Sequence, residues 1–322
     1  DNTLIKDLKC IGILILSDVI RQDAKTTLDY FKRQDVDIKI ISGDDPVTVS
    51  AIARRCHLLN YEHYIDVSSL SDEQIKEAIE KYTIFGRVSP KQKQLMVNAL
   101  QENNHTVAMT GDGVNDVLAL KAADCSIAMA SGSDAAKSAS HIVLLKNNFN
   151  AMPHIVNEGR RVINNITASA SMYLIKTIFS VVLSIGMILF GHGYPFKPIQ
   201  LTVISACCVG IPTFFLTYEP NFKRVSGDFL KTVFKNAFPF AFMIAICSTI
   251  IVNGGRVLGL EKGMLSTICV LLTSWCYYSG LRHIYSPLSH YRSFVIHIMQ
   301  IVLYISLIVG HQFLGLGNID YI

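Results

Sequence analysis

Charge is scarce in this chain. Only 17% of its 322 residues are charged, 50% are hydrophobic, and mean hydropathy is +0.36. That balance is too apolar for one soluble domain and excludes intrinsic disorder. The eight cysteines form no CxxC pair and meet no histidines at zinc-ligand intervals, so no zinc site is encoded. Five of them lie in apolar stretches, where a free thiol behaves as a small hydrophobe, and the soluble part reads as reduced and cytoplasmic. No basic run carries the net charge of +4, so nucleic acid is excluded as a partner. A signal peptide and an initial Met are also lacking: the chain opens at Asp1-Asn2-Thr3 and runs almost directly into a strand-like stretch, as expected of a fragment.

The charge that is present is unevenly spread. Residues 1–165 hold 19 Lys+Arg and 21 Asp+Glu, whereas residues 166–322 hold 10 and 4. The first half therefore reads as soluble and the second as embedded in a lipid bilayer. In the first half, the apolar runs Cys10–Leu16 and Asp37–Ile41 flank a helical stretch from Asp23 to Arg33. Further strands are expected at Tyr82–Phe85, His105–Met109 and Cys125–Met129, and helices at Pro46–Cys56, Asp72–Lys81, Pro90–Glu102 and Asn115–Ala122. Continuous apolar strands joined by helices imply a doubly wound α/β domain with a parallel sheet, whose ligands sit at the strands' carboxyl ends.

Polar residues cluster at those ends. Ser42-Gly43-Asp44 follows one strand, and Thr110-Gly111-Asp112-Gly113-Val114-Asn115-Asp116 follows another. Backbone N–H groups bared by glycine receive phosphate oxygens, and carboxylates hold a hard cation that also touches the phosphoryl group, so this composition suits phosphate together with Mg²⁺. Lys93, on the first turn of its helix, could reach the same edge and balance phosphate charge. Taken alone, Ser42-Gly43-Asp44 also makes an ordinary turn, Lys93 a solvated helix charge, and Asp18 with Arg21 a helix-capping pair. The Thr110–Asp116 run is more specific, because two Gly and two Asp between an apolar strand and a helix exceed what a turn requires.

Ile41-Ser42-Gly43-Asp44, Gly86-Arg87-Val88-Ser89-Pro90-Lys91-Gln92-Lys93 and Met109–Asp116, followed by Ala119–Asp124, resemble the phosphorylation-domain signatures of P-type ATPases, whose domains are haloacid dehalogenase-like. The resemblance implies that Asp112 and Asp116 form the Mg²⁺ site, Asp112 as the ligand, with Asn115 and Asp116 organising the site beside it. It implies that Ser42 and Gly43, with Asp44 next to them, hold the transferred phosphoryl group, and that Lys93 stabilises its charge. Asp18 and Arg21 resemble the family's Asp-Pro-x-Arg element near the ATP, with Val19 in place of Pro. The family's nucleophile, the Asp of Asp-Lys-Thr-Gly-Thr, occurs nowhere in the chain. It is expected upstream of Asp1, with the nucleotide-binding and actuator domains and the first membrane helices, so the chain alone is expected to be inactive.

The resulting domain plan is 1–148 for the C-terminal part of the phosphorylation domain, 149–165 for a stalk, and 166–322 for an all-α transmembrane bundle. Its spans are expected at 167–190, 199–218, 236–254, 263–281 and 293–311, each near the length that crosses a bilayer. With the stalk cytoplasmic, eight basic residues (Arg160, Arg161, Lys223, Arg224, Lys231, Lys235, Arg282, Arg292) fall inside and three (Lys197, Arg256, Lys262) outside. This places the chain in the cell membrane as a multi-pass protein with its C-terminus outside; the resemblance to P-type ATPases implies a sixth helix beyond Ile322.

No carboxylate occurs in the first two spans. Polar candidates for a transport path are Lys176, Thr177 and Ser180 on the first, and Ser205 and Pro212 on the second. Lys176 lies about ten residues past the entry point, roughly 15 Å deep. An intramembrane Lys is costly and marks function, although one near a helix end snorkels. Pro212 removes a helix hydrogen bond and can bare carbonyls to an ion, although kinks without function also occur. The run from Lys176-Thr177 through Gly210-Ile211-Pro212 to Glu219-Pro220-Asn221 resembles the bacterial branch named cation-transporting ATPase E, which implies Ca²⁺ as the leading transported cation. The competing readings are a membrane-anchored dehalogenase-like phosphatase, which lacks the Asp-x-Asp it would need at Leu16-Ser17-Asp18-Val19, and a noncatalytic binding subunit derived from a pump.

Overall fold

The computed structural model of the chain describes residues 23–146, 148–225 and 227–317. It divides into two compact units between Ile155 and Val156.

In the first unit helices and strands alternate: α1 (Ala24–Arg33), β1 (Ile40–Ile41), α2 (Pro46–Arg55), β2 (Tyr64–Asp66), α3 (Asp72–Lys81), β3 (Ile84–Gly86), α4 (Pro90–Glu102), β4 (Ala108–Gly111), α5 (Val117–Ala122), β5 (Cys125–Met129), α6 (Asp134–Ala139) and β6 (Ile142–Leu144). Every strand pair is parallel, in the orders β1-β3-β2 and β4-β5-β6. The described strands thus form two three-stranded sheets where one sheet was expected, and the expected strand Cys10–Leu16 lies outside the described residues.

β3 shows why the chain reads as parallel sheet. Ile84 and Phe85 are both fully buried, and the period-2 alternation sends them to opposite faces. Ile84 packs with Val49, Ala53 and Leu58, and Phe85 with a cluster that holds Ile75, Ile79 and Met96. Each such side chain contributes roughly 1.5–3 kcal/mol by leaving water. α3 and α4 run over the expected residues because capping boxes fix their starts, Ser71 with Gln74 and Ser89 with Gln92. β2, α6 and β6 were not expected. The helix expected at Asn115–Ala122 begins instead as a 3₁₀ turn, Val114–Asp116, because the Asp116 N–H bonds the Gly113 carbonyl three residues back.

The second unit is helical: α7 (Ala151–Leu189), α8 (Pro198–Ile204), a π-helical segment Ser205–Gly210, α9 (Ile211–Leu216), α10 (Phe229–Val257), α11 (Lys262–Ile284), α12 (His290–Val309) and α13 (His311–Leu314). Taking Pro198–Leu216 as one run, five helices among the described residues are long and apolar enough to cross a membrane. α7 runs unbroken through the expected stalk and first span. Its buried Met172, Ile175, Phe179 and Leu183 recur every three or four residues along one face, and Phe179 meets Tyr277 of α11 edge to face.

The π segment has a local cause. The Ile211 N–H donates to the Ala206 carbonyl five residues back, and the next donor in that register would be residue 212. Pro212 has no N–H. The Tyr278 hydroxyl, buried on α11, donates to the Cys207 carbonyl at 3.3 Å instead. The Cys207 carbonyl, left without a backbone donor by Pro212 in this register, is met by a side chain of the protein.

Candidate active site

The turn after β4 is built around Asp116. Its Oδ1 accepts from Lys93 Nζ at 2.7 Å, and its Oδ2 accepts from the N–H groups of Asp112 at 3.3 Å and Gly113 at 3.1 Å. Both side chains of the ion pair are 11% exposed. Low local dielectric strengthens such a pair, and the two backbone bonds hold its carboxylate in place. Gly111 is required beneath it, since a Cβ there would lie 2.7 Å from Asp116 Cβ. The outcome is a folded-back loop in which Asp116 is fully engaged while Asp112 and Asn115 are exposed.

Two residues hold Asp112 that the sequence reading did not single out. Ser133 donates its N–H to the Asp112 carbonyl at 2.8 Å, and Gly132 passes so close that a Cβ would lie 2.7 Å from the same oxygen. The signal was available, because Gly132-Ser133 follows β5 as Ser42-Gly43 follows β1.

At the end of β1 the Ser42 hydroxyl donates to Asp44 Oδ2 and accepts from the Asp44 N–H, both at 3.1 Å. The Ser42 carbonyl accepts from Val88 N–H at 3.0 Å, and the Asp44 carbonyl from Arg87 N–H at 2.8 Å. This loop is thereby tied to the connection between β3 and α4 that leads to Lys93. Arg87 takes a left-handed backbone, φ +56, and its guanidinium lies 3.1 Å from Asp45 Oδ2 and 3.5 Å from Asp66 Oδ2. Hydrogen bonds from the Ser68 hydroxyl and N–H hold the Asp66 carboxyl below the usual range, with Arg87 adding to the effect. Gly43 is exposed, and a Cβ on it would meet nothing closer than the Val88 carbonyl at 3.9 Å. Asp18 and Arg21 lie outside the described residues.

In the second unit, Lys176 Nζ donates to Ser205 Oγ at 2.9 Å, and the Ser205 hydroxyl in turn donates to the Leu201 carbonyl at 2.6 Å. The structure thus brings Lys176 to the first residue of the π segment. Thr177 is exposed, Ser180 is a hydrogen-bond partner of Tyr194, and Pro212 is buried.

Residues 2–124 match the haloacid dehalogenase-like hydrolase family. The probable cation-transporting ATPase exp7 of Streptococcus pneumoniae is 43% identical over 83% of this chain and 35% of its own length. The calcium-transporting ATPase CtpE of Mycobacterium bovis is 43% identical over 74% of this chain and 31% of its own length. The chain thus spans about a third of the length of the curated relatives it matches. Among solved structures, the catalytic domain of the CPx-ATPase CopB-B is 28% identical over 43% of this chain and 46% of that one, at a TM-score of 0.35. With its dehalogenase-like domain of parallel sheets followed by long apolar helices, the chain belongs to the P-type ATPase family and is similar to its bacterial cation- and calcium-transporting members.

Proposed function

We propose that this chain is the C-terminal part of an ATP-driven cation pump, which couples formation and hydrolysis of an aspartyl-phosphate to cation movement, with calcium as the favoured cargo. The observation that carries the reading is the division of labour in the β4 turn. Asp116 spends both oxygens on Lys93 and on the loop's own N–H groups, and Asp112 is left exposed at the strand's carboxyl end.

An exposed hard-oxygen donor beside a phosphate-binding edge fits Mg²⁺, which takes one or two carboxylates and otherwise water and phosphate. When bound, Mg²⁺ supplies Lewis-acid stabilisation of phosphoryl charge. In this reading Asp112 holds the ion, and Asp116 sets the loop that presents it, with Asn115 alongside. Ser42 and Gly43 offer hydroxyl and N–H groups to the phosphoryl oxygens, and the Lys93 ammonium balances their charge from its seat on Asp116. Asp18 and Arg21 serve the nucleotide. The acceptor aspartate, the nucleotide-binding domain and the actuator domain are supplied by sequence upstream.

Residues 166–322 form the transmembrane domain with five spans, residues 149–165 the stalk, and residues 1–148 a cytoplasmic phosphorylation domain in a bacterial cell membrane; the excess of basic residues on the stalk's side supports this orientation. In the ion path, Lys176 pairs with a carboxylate or carbonyl from a helix outside this chain when the site is empty and yields to the bound cation, with Thr177, Ser180, Ser205 and the Pro212 region around it. The test is ATPase activity of the full-length pump across a panel of divalent and monovalent ions, with and without Lys176→Met. Stimulation by calcium, with an altered ion dependence in the variant, is expected. Stimulation by another ion would overturn the calcium assignment, and superimposable curves would remove Lys176 from the path.

A further inference from the structure

We propose that the end of the helical unit where α7 gives way to α8 and α10 to α11 holds a phosphate-bearing anion, gripped by Lys197, Arg256 and Lys262. The proposal rests on the membrane-embedded reading of this unit. These three residues are the basic side chains assigned to the outer end, where the distribution of Lys and Arg in membrane proteins disfavours them. They come from separate parts of the sequence, yet all three line one cavity of about 490 Å³. Among the described residues its lining contains no carboxylate. Three like charges around one void repel one another, and an anion between them reverses the sign of that interaction.

The cations are held in place rather than left to wander. Arg256 Nη1 lies 2.6 Å from His192 Nδ1, while His192 Nε2 lies 2.8 Å from Asn253 Oδ1. An amide oxygen can only accept, so Nε2 carries the proton and Nδ1 offers its lone pair to the guanidinium. Arg256 is thereby positioned by the imidazole ring rather than by a carboxylate among the described residues. Lys197 crosses over Gly315, whose left-handed φ of +61 and missing Cβ leave the room; a Cβ there would overlap Lys197 Nζ. Lys262 and Gly263 begin α11, whose N-cap Glu261 makes no side-chain cap, so first-turn N–H groups add partial positive charge on the same side.

The rest of the cavity suits an amphiphile. Tyr194 and Phe196 form an aromatic flank next to the cations. Ser266 on another wall donates to Gln200 Oε1 at 2.9 Å, and the fully buried Gln200 also donates to the Leu314 carbonyl at 3.0 Å, which fixes α8, α11 and α13 around the void. A basic pocket between membrane helices with an apolar flank matches the chemistry of a phosphodiester headgroup with its acyl chains alongside. Free phosphate shares the anionic part of that chemistry and not the apolar part.

The test reconstitutes the full chain in nanodiscs of phosphatidylcholine, of phosphatidylglycerol or of their equimolar mixture, and counts retained lipids by native mass spectrometry after detergent stripping. Wild type is expected to retain phosphatidylglycerol over phosphatidylcholine. The triple variant Lys197→Gln, Arg256→Gln, Lys262→Gln is expected to lose about a hundredfold in that preference, at roughly fivefold per cation. Arg256→Lys, which keeps the charge, is expected to retain most of it, and Lys231→Gln with Lys235→Gln, at the start of α10, to leave it unchanged. Titration of inorganic phosphate in phosphatidylcholine discs separates the sources: triple-variant-sensitive phosphate binding without phosphatidylglycerol preference supports the anion site with a soluble occupant. No lipid preference and no phosphate binding, or a preference untouched by the triple variant, would overturn the proposal. A chain that fails to enter nanodiscs at all would overturn the membrane reading and this proposal with it.

Discussion

Lys93 Nζ sits 2.7 Å from Asp116 Oδ1 and joins the first turn of α4, which follows β3 of one sheet, to the turn that follows β4 of the other. Twenty-three residues apart in sequence, the two charges are each other's main compensation. Taking a pair out of water is worthwhile only when both members and their hydrogen bonds are in place, and removing one partner of a buried pair costs about 3–5 kcal/mol.

Lys93→Met and Asp116→Leu are therefore each expected to lower the stability of the first unit by an amount in that range. The double variant should recover part of the loss, because neither charge is then stranded. Urea unfolding of the full chain in detergent, followed by tryptic cleavage within the first unit, measures it. Strictly additive losses would show that the pair is not coupled.

Gly111 and Gly113 flank Asp112 and look alike in sequence, but their surroundings differ. A Cβ on Gly111 would lie 2.7 Å from Asp116 Cβ, whereas one on Gly113 would lie 3.5 Å from Asp116 Oδ2. Gly111→Ala is expected to displace Asp116 and to cost about 1–3 kcal/mol as overpacking does, while Gly113→Ala costs clearly less. The same unfolding assay compares them, and equal losses would contradict the steric argument.

The pH dependence has a defined sign. The Val107 N–H, 2.8 Å from Asp124 Oδ2, holds the Asp124 carboxyl below its usual range, with the Gln101 side chain adding to the effect. Its stabilising contribution is present above the unfolded-state pKa of about 4 and is lost as pH falls through the lower folded-state value. Unfolding of wild type should become easier below about pH 4, and Asp124→Asn should flatten that acid limb. Parallel wild-type and variant curves would show that this carboxylate is not a source of the dependence.

Much of this architecture was legible in the chain. β5 was expected over the same residues it occupies, Cys125–Met129, because an apolar run covered on both faces has few other destinations. α3 and α4 were legible because Ser71-Gln74 and Ser89-Gln92 announce helix starts. β2 was not, since its three residues begin with an exposed Tyr64 and show no apolar run. The β4 turn was marked as a site by composition, but its internal wiring was hidden. Nothing local says that Lys93, apparently free for phosphate, is seated on Asp116, because that contact is made by the tertiary fold. The π segment was invisible for a similar reason: Ser205–Gly210 is ordinary apolar helix by composition, and only Pro212 hints at the missing donor.

That missing donor yields a further test. With Tyr278 serving the Cys207 carbonyl at 3.3 Å, Tyr278→Phe should cost about 1–3 kcal/mol for a buried acceptor left unpaired. In a Pro212→Ala background an N–H returns at the right place in the π register, and the cost of Tyr278→Phe should shrink. Thermal unfolding of the four proteins in one double-mutant cycle measures the coupling. A cost unchanged by Pro212→Ala would show that the tyrosine hydroxyl does not stand in for the lost backbone donor.

The central claim is that Asp112 is the exposed metal-holding carboxylate of a phosphorylation site, with Asp116 as its internal support. The most direct measurement is acid-stable, hydroxylamine-sensitive phosphoenzyme formed from radiolabelled ATP and Mg²⁺ by the proposed full-length pump. Asp112→Asn removes the metal's charge partner without changing shape. It is expected to leave expression and thermal stability near wild type while phosphoenzyme falls below about a hundredth, in line with loss of roughly 3 kcal/mol of electrostatic stabilisation. Near-normal phosphoenzyme in that variant would contradict the account.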